Sequence, residues 1–301
     1  MLEVSFDPTH TPVWKGLHPS MHHSHSHFKI TKASGESEDF SQAKLRHSLI
    51  KSGASPETVE DIMTELEVDL YSGMTSRVLY KKAFALLRRR YKTQAARYQL
   101  KRAIMELGPA GYPFENYIGE LFRAQGYDVQ VGVVLQGLCV THEVDVVAEK
   151  ENELVVVECK YRNAPGFKCD VKIPLYVNSR FDDVEKEWRK YLPNQKKSFQ
   201  GWVATNARFS GDAIQYSACV GLKLLAWDYP EKTSLRKWID QSGLYPLTAL
   251  TGLSKAEKQH LLENRFVLAR DLIDKPKALE LLHLAPRRVH QLQNEVSQLC
   301  L

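Results

Sequence analysis

The stretch HEVDVVAEKENELVVVECKYR, residues 142–162, reads as two strands and the turn between them. Asp145 lies in the apolar alternation VDVVA, and Leu154 to Val157 is a continuous apolar run bounded by charge, the pattern of a buried strand. Side chains of a strand alternate with period two, so Glu158 and Lys160 share one face, where a paired strand also presents Asp145. Two carboxylates and an ammonium then surround one point. Mg²⁺ or Mn²⁺ is held by one or two carboxylates with waters and phosphate oxygens, which makes Asp145 and Glu158 candidate metal ligands. Lys160 is a candidate for orienting or deprotonating an attacking water and offsetting transition-state charge. The plain alternative is an amphipathic hairpin whose exposed Glu and Lys merely pair.

Upstream, FENYIGELFRAQGYDV carries Phe114, Tyr117, Ile118, Leu121 and Phe122 at helical spacing, then a stop at Gly126 and the strand-like YDVQVGVV. Downstream, GWVATN reads as a strand, FSGDAIQYSACVG as a helix ended by Gly221, and LKLLAWD as another strand. Val144-Asp145 followed by Glu158-Cys159-Lys160 resembles the PD-(D/E)xK nuclease signature. With the flanking strings FENYIGELFRAQGY, VECKYR and WVATNARFSGDAIQYSACVGLKLL, it resembles the Mrr-type restriction endonuclease-like domain. That resemblance implies an α/β core of αβββαβ order over residues 114–245 and metal-dependent hydrolysis of DNA. It assigns catalytic roles to Asp145, Glu158 and Lys160, and brings Glu115 of the first helix into the metal site. Glu115 reads equally well as a first-turn carboxylate interacting with the helix dipole. Many Mrr relatives carry Gln where this chain has Glu158, a difference that favours a complete metal site. Thr205 and Asn206 match the family's TN and are read as capping the turn that follows, with contact to phosphate as the alternative.

Residues 28–107 are helix-rich and basic. A hairpin is expected around Ala33 to Gly35, a helix starting at Ser41 with Leu45, Leu49 and Ile50 inward, and helices at 56–71, 75–90 and 93–107. Lys32-Ala33-Ser34-Gly35, then Glu38 to Leu45, and the later string AARYQLKRAI, are similar to the ATP-cone, a nucleotide-sensing module. The resemblance implies ATP or dATP as allosteric ligand, Lys32 and Lys44 as triphosphate contacts, and Thr75 near the base or sugar. Ala33 stands where the family has Arg, which removes one phosphate donor. A basic helical bundle without a ligand is the other reading. Arg88, Arg89 and Arg90 read most simply as a solvated helix end favoured by the dipole, and otherwise as a DNA-facing patch.

GPAGYP, residues 108–113, breaks any helix and marks a linker. Residues 246–301 are helical throughout, with Ser254 as a cap and Pro276 and Pro286 starting helices. Their rhythm resembles helix-hairpin-helix modules, which hold DNA phosphates through amides of a Gly-containing hairpin. The corresponding turn, Leu284-Ala285-Pro286, has no Gly and loses one amide to proline, so packing or protein contact is expected, with Arg287 and Arg288 as candidate DNA contacts. Residues 1–27 lack periodicity and read as a disordered tract rich in histidine, with His22, His23, His25 and His27 and an alternative start at Met21.

The chain of 301 residues has room for two or three domains, and its formal charge of +5 permits nucleic-acid binding without demanding it. Five cysteines, with no CxxC spacing, fit reduced thiols in a cytoplasmic protein; Cys159, between Glu158 and Lys160, is expected in the core. No signal peptide or membrane span is traceable. The expected fold class is multidomain α/β: a helical ATP-cone bundle with a small hairpin, the restriction endonuclease-like core, then an all-helical end. The expected function is a Mg-dependent DNA endonuclease regulated by ATP or dATP and acting as a homo-oligomer. The alternatives are a non-cleaving, nucleotide-sensing DNA-binding regulator, and a structure-specific nuclease acting on branched DNA or RNA.

Overall fold

The apolar run Leu154 to Val157 forms the middle of a five-stranded mixed sheet, with its side chains divided between two cores. The computed structural model describes residues 28–32, 35–164 and 166–300. The histidine-rich tract, Met21 and Ala33 lie outside them.

The chain opens with β1 (Lys29–Thr31) and β2 (Ser37–Asp39), an antiparallel pair flanking Gly35, whose φ of +87° suits a residue without Cβ. Four helices follow: α1 (Gln42–Lys51), α2 (Pro56–Glu67), α3 (Ser76–Arg90) and α4 (Lys92–Tyr98). Ser41, Ser55 and Thr75 cap the first three by accepting backbone amides of Lys44, Thr58 and Val78, which satisfies donors the helix itself leaves free. Leu45, Leu49, Val59, Ile62, Met63, Leu66, Leu79, Ala83 and Leu87 fill the core of this bundle.

The single helix expected over 93–107 is instead α4 and α5 (Leu100–Met105), broken at Gln99. Ala95 belongs to the bundle core and its neighbour Ala96 to the sheet core, so the chain changes partners within one turn. Gln99 anchors the break, its side-chain amide donating to the carbonyl of Ala249 at 3.1 Å. Gly108 lies close against Tyr161, just past the end of the strand at Lys160: a Cβ there would collide with the Tyr161 ring.

Next come α6 (Tyr112–Arg123), β3 (Asp128–Gln136), β4 (Thr141–Lys150), β5 (Glu153–Lys160), the short β6 (Lys168–Cys169), α7 (Lys172–Trp188), β7 (Ser198–Thr205), the short β8 (Arg208–Phe209), α8 (Gly211–Val220) and β9 (Lys223–Leu225). The sheet order is β3-β4-β5-β7-β9, antiparallel from β3 to β5 and parallel from β5 to β9. The crossover α7 has no counterpart among the elements expected from sequence, although Val177, Phe181 and Val184 mark its buried face at helical spacing. Val155, Val157 and Cys159 face α6, while Leu154 and Val156 face α7 and α8.

The C-terminal helices are α9 (Leu235–Ser242), α10 (Lys255–Glu263), α11 (Asp271–Asp274), α12 (Pro276–Glu280) and α13 (Pro286–Cys300). Their buried residues, among them Ile239, Leu261, Leu292 and Val296, share one core with α6 and the sheet. The Tyr117 hydroxyl on α6 donates to the carbonyl of Leu244 at 2.7 Å across this core. Among the described residues no helix is long and apolar enough to cross a membrane.

Candidate active site

The ladder between β4 and β5 runs from Lys150 opposite Glu153 to Val146 opposite Val157 and stops there. On the β3 side, Gly132, with φ of +68°, is the residue skipped opposite Asp145. Val144 and Val147 both pack on the α7 side although their parity differs, so the clean alternation expected from sequence slips at Asp145. The Asp145 carboxylate takes the place of a ladder bond by accepting the Cys159 amide at 2.6 Å.

Glu158 projects from β5 toward α7, as its parity with Val156 requires, and is 5% exposed. Both its oxygens are engaged. Oε1 accepts from Lys160 Nζ, and Oε2 accepts from Arg180 at 2.6 Å. A buried carboxylate is tolerated only when so paired. Arg180 comes from α7, stacks over the Tyr176 ring at 5.3 Å and donates to the Glu143 carbonyl. Sequence reasoning missed this residue. The available signal was its place one turn after Val177, beside the buried face of α7.

Glu115, in the first turn of α6, joins the same field. Burial, then repulsion from Asp145, Glu143 and Glu158, pushes its carboxyl up to about 7, and Lys160 partly offsets this. Burial and then Glu158 push Asp145 up to about 6 against the opposing Cys159 hydrogen bond and the charges of Lys160 and Arg180. Asp145, Glu158, Lys160 and Glu115 are therefore brought together, with Arg180 as a fifth member. Among the described residues no three His, Cys, Asp or Glu side chains form a ready-made metal cage. The Glu115 carboxylate makes no hydrogen bond to another described residue, and Asp145 commits one oxygen to Cys159. This donor set fits a hard cation that keeps waters and takes phosphate oxygens, since extra positive charge relieves the mutual repulsion of the carboxylates.

Neighbouring contacts hold the frame. Asp183 of α7 accepts from the amides of Cys139 and Val140 at 3.0 and 3.3 Å and pairs with His142 at 2.8 Å, which ties α7 to the β3–β4 turn. The His142 hydrogen bond is the main reason its carboxyl falls to about 2. Thr205 Oγ1 donates to the Lys160 carbonyl at 2.6 Å and accepts from the Ala207 amide at 3.1 Å. Asn206 holds the backbone of Arg162 from both sides, accepting from its amide and donating to its carbonyl. Cys159 packs in the core, and all five cysteines are free.

In the N-terminal bundle, Lys32 and Lys44 both reach Glu38, at 2.8 and 3.5 Å. Thr75 bridges to Thr31 while capping α3, so the three candidate nucleotide contacts lie together at one end of the bundle. At the C-terminal end, Arg288 turns inward to Glu257 at 2.7 Å and the Gly252 carbonyl at 3.0 Å, whereas Arg287 is exposed. Buried Glu295 of α13 accepts the amides of Thr251 and Gly252 at 2.5 and 3.0 Å, so these glycine-turn donors are already used.

A mixed α/β sheet covered by helices, with a carboxylate and lysine cluster where two strands part, is the class that fold and site define. The family described as AF1548-like, C-terminal, matches residues 245–300. An uncharacterized protein of Archaeoglobus fulgidus is 36% identical over 156 residues, which is 52% of this chain and 83% of the relative. The crystal structure of AF1548, described as a protein of unknown function, is similar with a TM-score of 0.51 at 32% identity, over 64% of this chain and 98% of that chain. The chain belongs to the AF1548-like family.

Proposed function

We propose that this chain is a divalent-metal-dependent DNA endonuclease with a PD-(D/E)xK centre in an Mrr-type restriction endonuclease-like core, regulated by ATP or dATP at an N-terminal ATP-cone. The observation that carries the reading is the convergence of Asp145, Glu158, Lys160 and Glu115 at the gap between β4 and β5. Asp145, Glu158 and Glu115 would hold Mg²⁺ or Mn²⁺, which would supply Lewis acidity toward a phosphodiester and help activate water. Lys160 Nζ steadies the attacking oxygen and the developing charge, while Arg180 fixes the Glu158 carboxylate. Lys32, Lys44 and Thr75 are the nucleotide contacts, and Glu38 holds the two ammonium groups in place. A double-strand break needs two such centres in a symmetric homo-oligomer. Free thiols fit a cytoplasmic setting.

The test is incubation with plasmid, branched and single-stranded substrates in Mg²⁺ or Mn²⁺, with and without ATP. Asp145→Ala or Lys160→Ala abolishes cleavage, a loss of several kcal/mol of transition-state stabilisation, while circular dichroism stays that of the wild type. Wild-type rates from either variant refute the assignment. A second reading, a nucleotide-sensing regulator that binds DNA without cutting it, is favoured by one observation: Lys160 and Arg180 occupy both oxygens of Glu158. Metal-independent DNA binding without nicking, at any divalent ion tested, selects that reading.

A further inference from the structure

Arg88, Arg89, Arg90, Lys92 and Arg97 line an open concavity of about 590 Å³ where α3 passes into α4, closed on one side by Gln298 of α13. Five of its nine lining residues are cationic, and none is acidic. Arg90 is neutralised by Asp61 and Glu65, at 3.1 and 2.5 Å. The side chains of Arg88, Arg89 and Lys92 make no ion pair or hydrogen bond with any described residue, and all three are exposed. Arg97 stacks on Tyr245 at 5.6 Å, and its Nε is buried without a partner.

The dipole of α3 accounts for arginines in its last turn but not for Lys92, which follows in a helix with no acidic residue in its first turn. Tyr91, 43% exposed, adds an aromatic face among the cations. A concave surface that combines unpaired guanidinium and ammonium groups with an exposed ring is suited to a phosphate-rich polymer, which meets several cations at once.

We propose that this concavity is a docking surface for the phosphate backbone of DNA, separate from the carboxylate centre and from the Lys32 and Lys44 cluster. It rests on the reading of DNA as the substrate, and it adds that the N-terminal bundle grips the DNA through a face other than the proposed nucleotide site. The test measures binding of a mixed-sequence duplex to the full chain by fluorescence anisotropy in EDTA, across about 50–200 mM salt. Arg88→Gln with Arg89→Gln and Lys92→Gln is expected to weaken binding and to make the slope of log K against log salt shallower by about 2.7, or about 0.9 for each phosphate no longer neutralised. A control with the same charge change at exposed Lys223, Lys255 and Lys277 keeps the wild-type slope, and melting curves confirm that both proteins fold.

An unchanged slope in the concavity variant overturns the proposal, as does an equal change in the control. Displacement of a bound tripolyphosphate from the concavity with no effect on DNA affinity also overturns it, by making the surface a small-anion site. The nuclease reading fails separately. Wild-type protein that binds DNA with a steep salt slope yet nicks nothing in Mg²⁺ or Mn²⁺ sinks cleavage and leaves the docking surface standing.

Discussion

Replacing Arg180 by alanine tests the centre without assuming any reaction. The Arg180 to Glu158 contact is 2.6 Å long, with the side chains 14% and 6% exposed, so little water is available to substitute for it. Breaking a buried pair outright costs roughly 3–5 kcal/mol, but Lys160 still serves the other Glu158 oxygen, which brings the charged contribution to about 2 kcal/mol. Removing the bond to the Glu143 carbonyl adds about 1 kcal/mol. A total near 3 kcal/mol lowers the melting temperature by roughly 6–12 °C. A double-mutant cycle with Glu158→Ala, read by urea denaturation in EDTA, isolates the pair and should return a coupling energy of about 2 kcal/mol. A coupling below about 0.5 kcal/mol would make Arg180 an ordinary solvated helix cation and refute the argument.

The raised carboxyls give a pH dependence of definite sign. Folded Glu115 and Asp145 keep protons up to about 7 and about 6, whereas the unfolded chain releases them near pH 4, so their contribution to stability falls as pH rises from about 4 to 7. In EDTA, Glu115→Gln should match the wild type near pH 4 and be more stable above pH 7 by about 1 kcal/mol after discounting for solvent; equal melting temperatures at both ends would contradict this. ATP or dATP at about 100 times its dissociation constant should add about 2.7 kcal/mol, and Lys32→Ala with Lys44→Ala should remove the shift in melting temperature; a wild type indifferent to nucleotide refutes the binding site. Glu295→Ala leaves the amides of Thr251 and Gly252 unpaired and should cost about 3 kcal/mol in urea denaturation, with Glu295→Gln recovering part of it.

What the sequence determined by itself was local. The charged ends of the 154–157 run place Glu158 and Lys160 two residues apart on one strand, and period two makes them neighbours before any tertiary contact is known. Caps at Ser41 and Ser254 and the stop at Gly221 were legible for the same reason, because each acts within one turn of its own helix. Distant partners decided the rest. The slip at Asp145 depends on a carboxylate reaching an amide 14 residues away, and Arg180 meets Glu158 only because α7 crosses back over the sheet between β5 and β7. Ala95 and Ala96 look alike in sequence, yet they enter different cores because the N-terminal bundle and the sheet meet at that turn. Glu295 lies 43 residues from the Gly252 amide that it satisfies. A periodic pattern tells which face of an element is apolar, but the identity of what covers that face is set by chain closure over tens of residues, and only the assembled tertiary structure contains it.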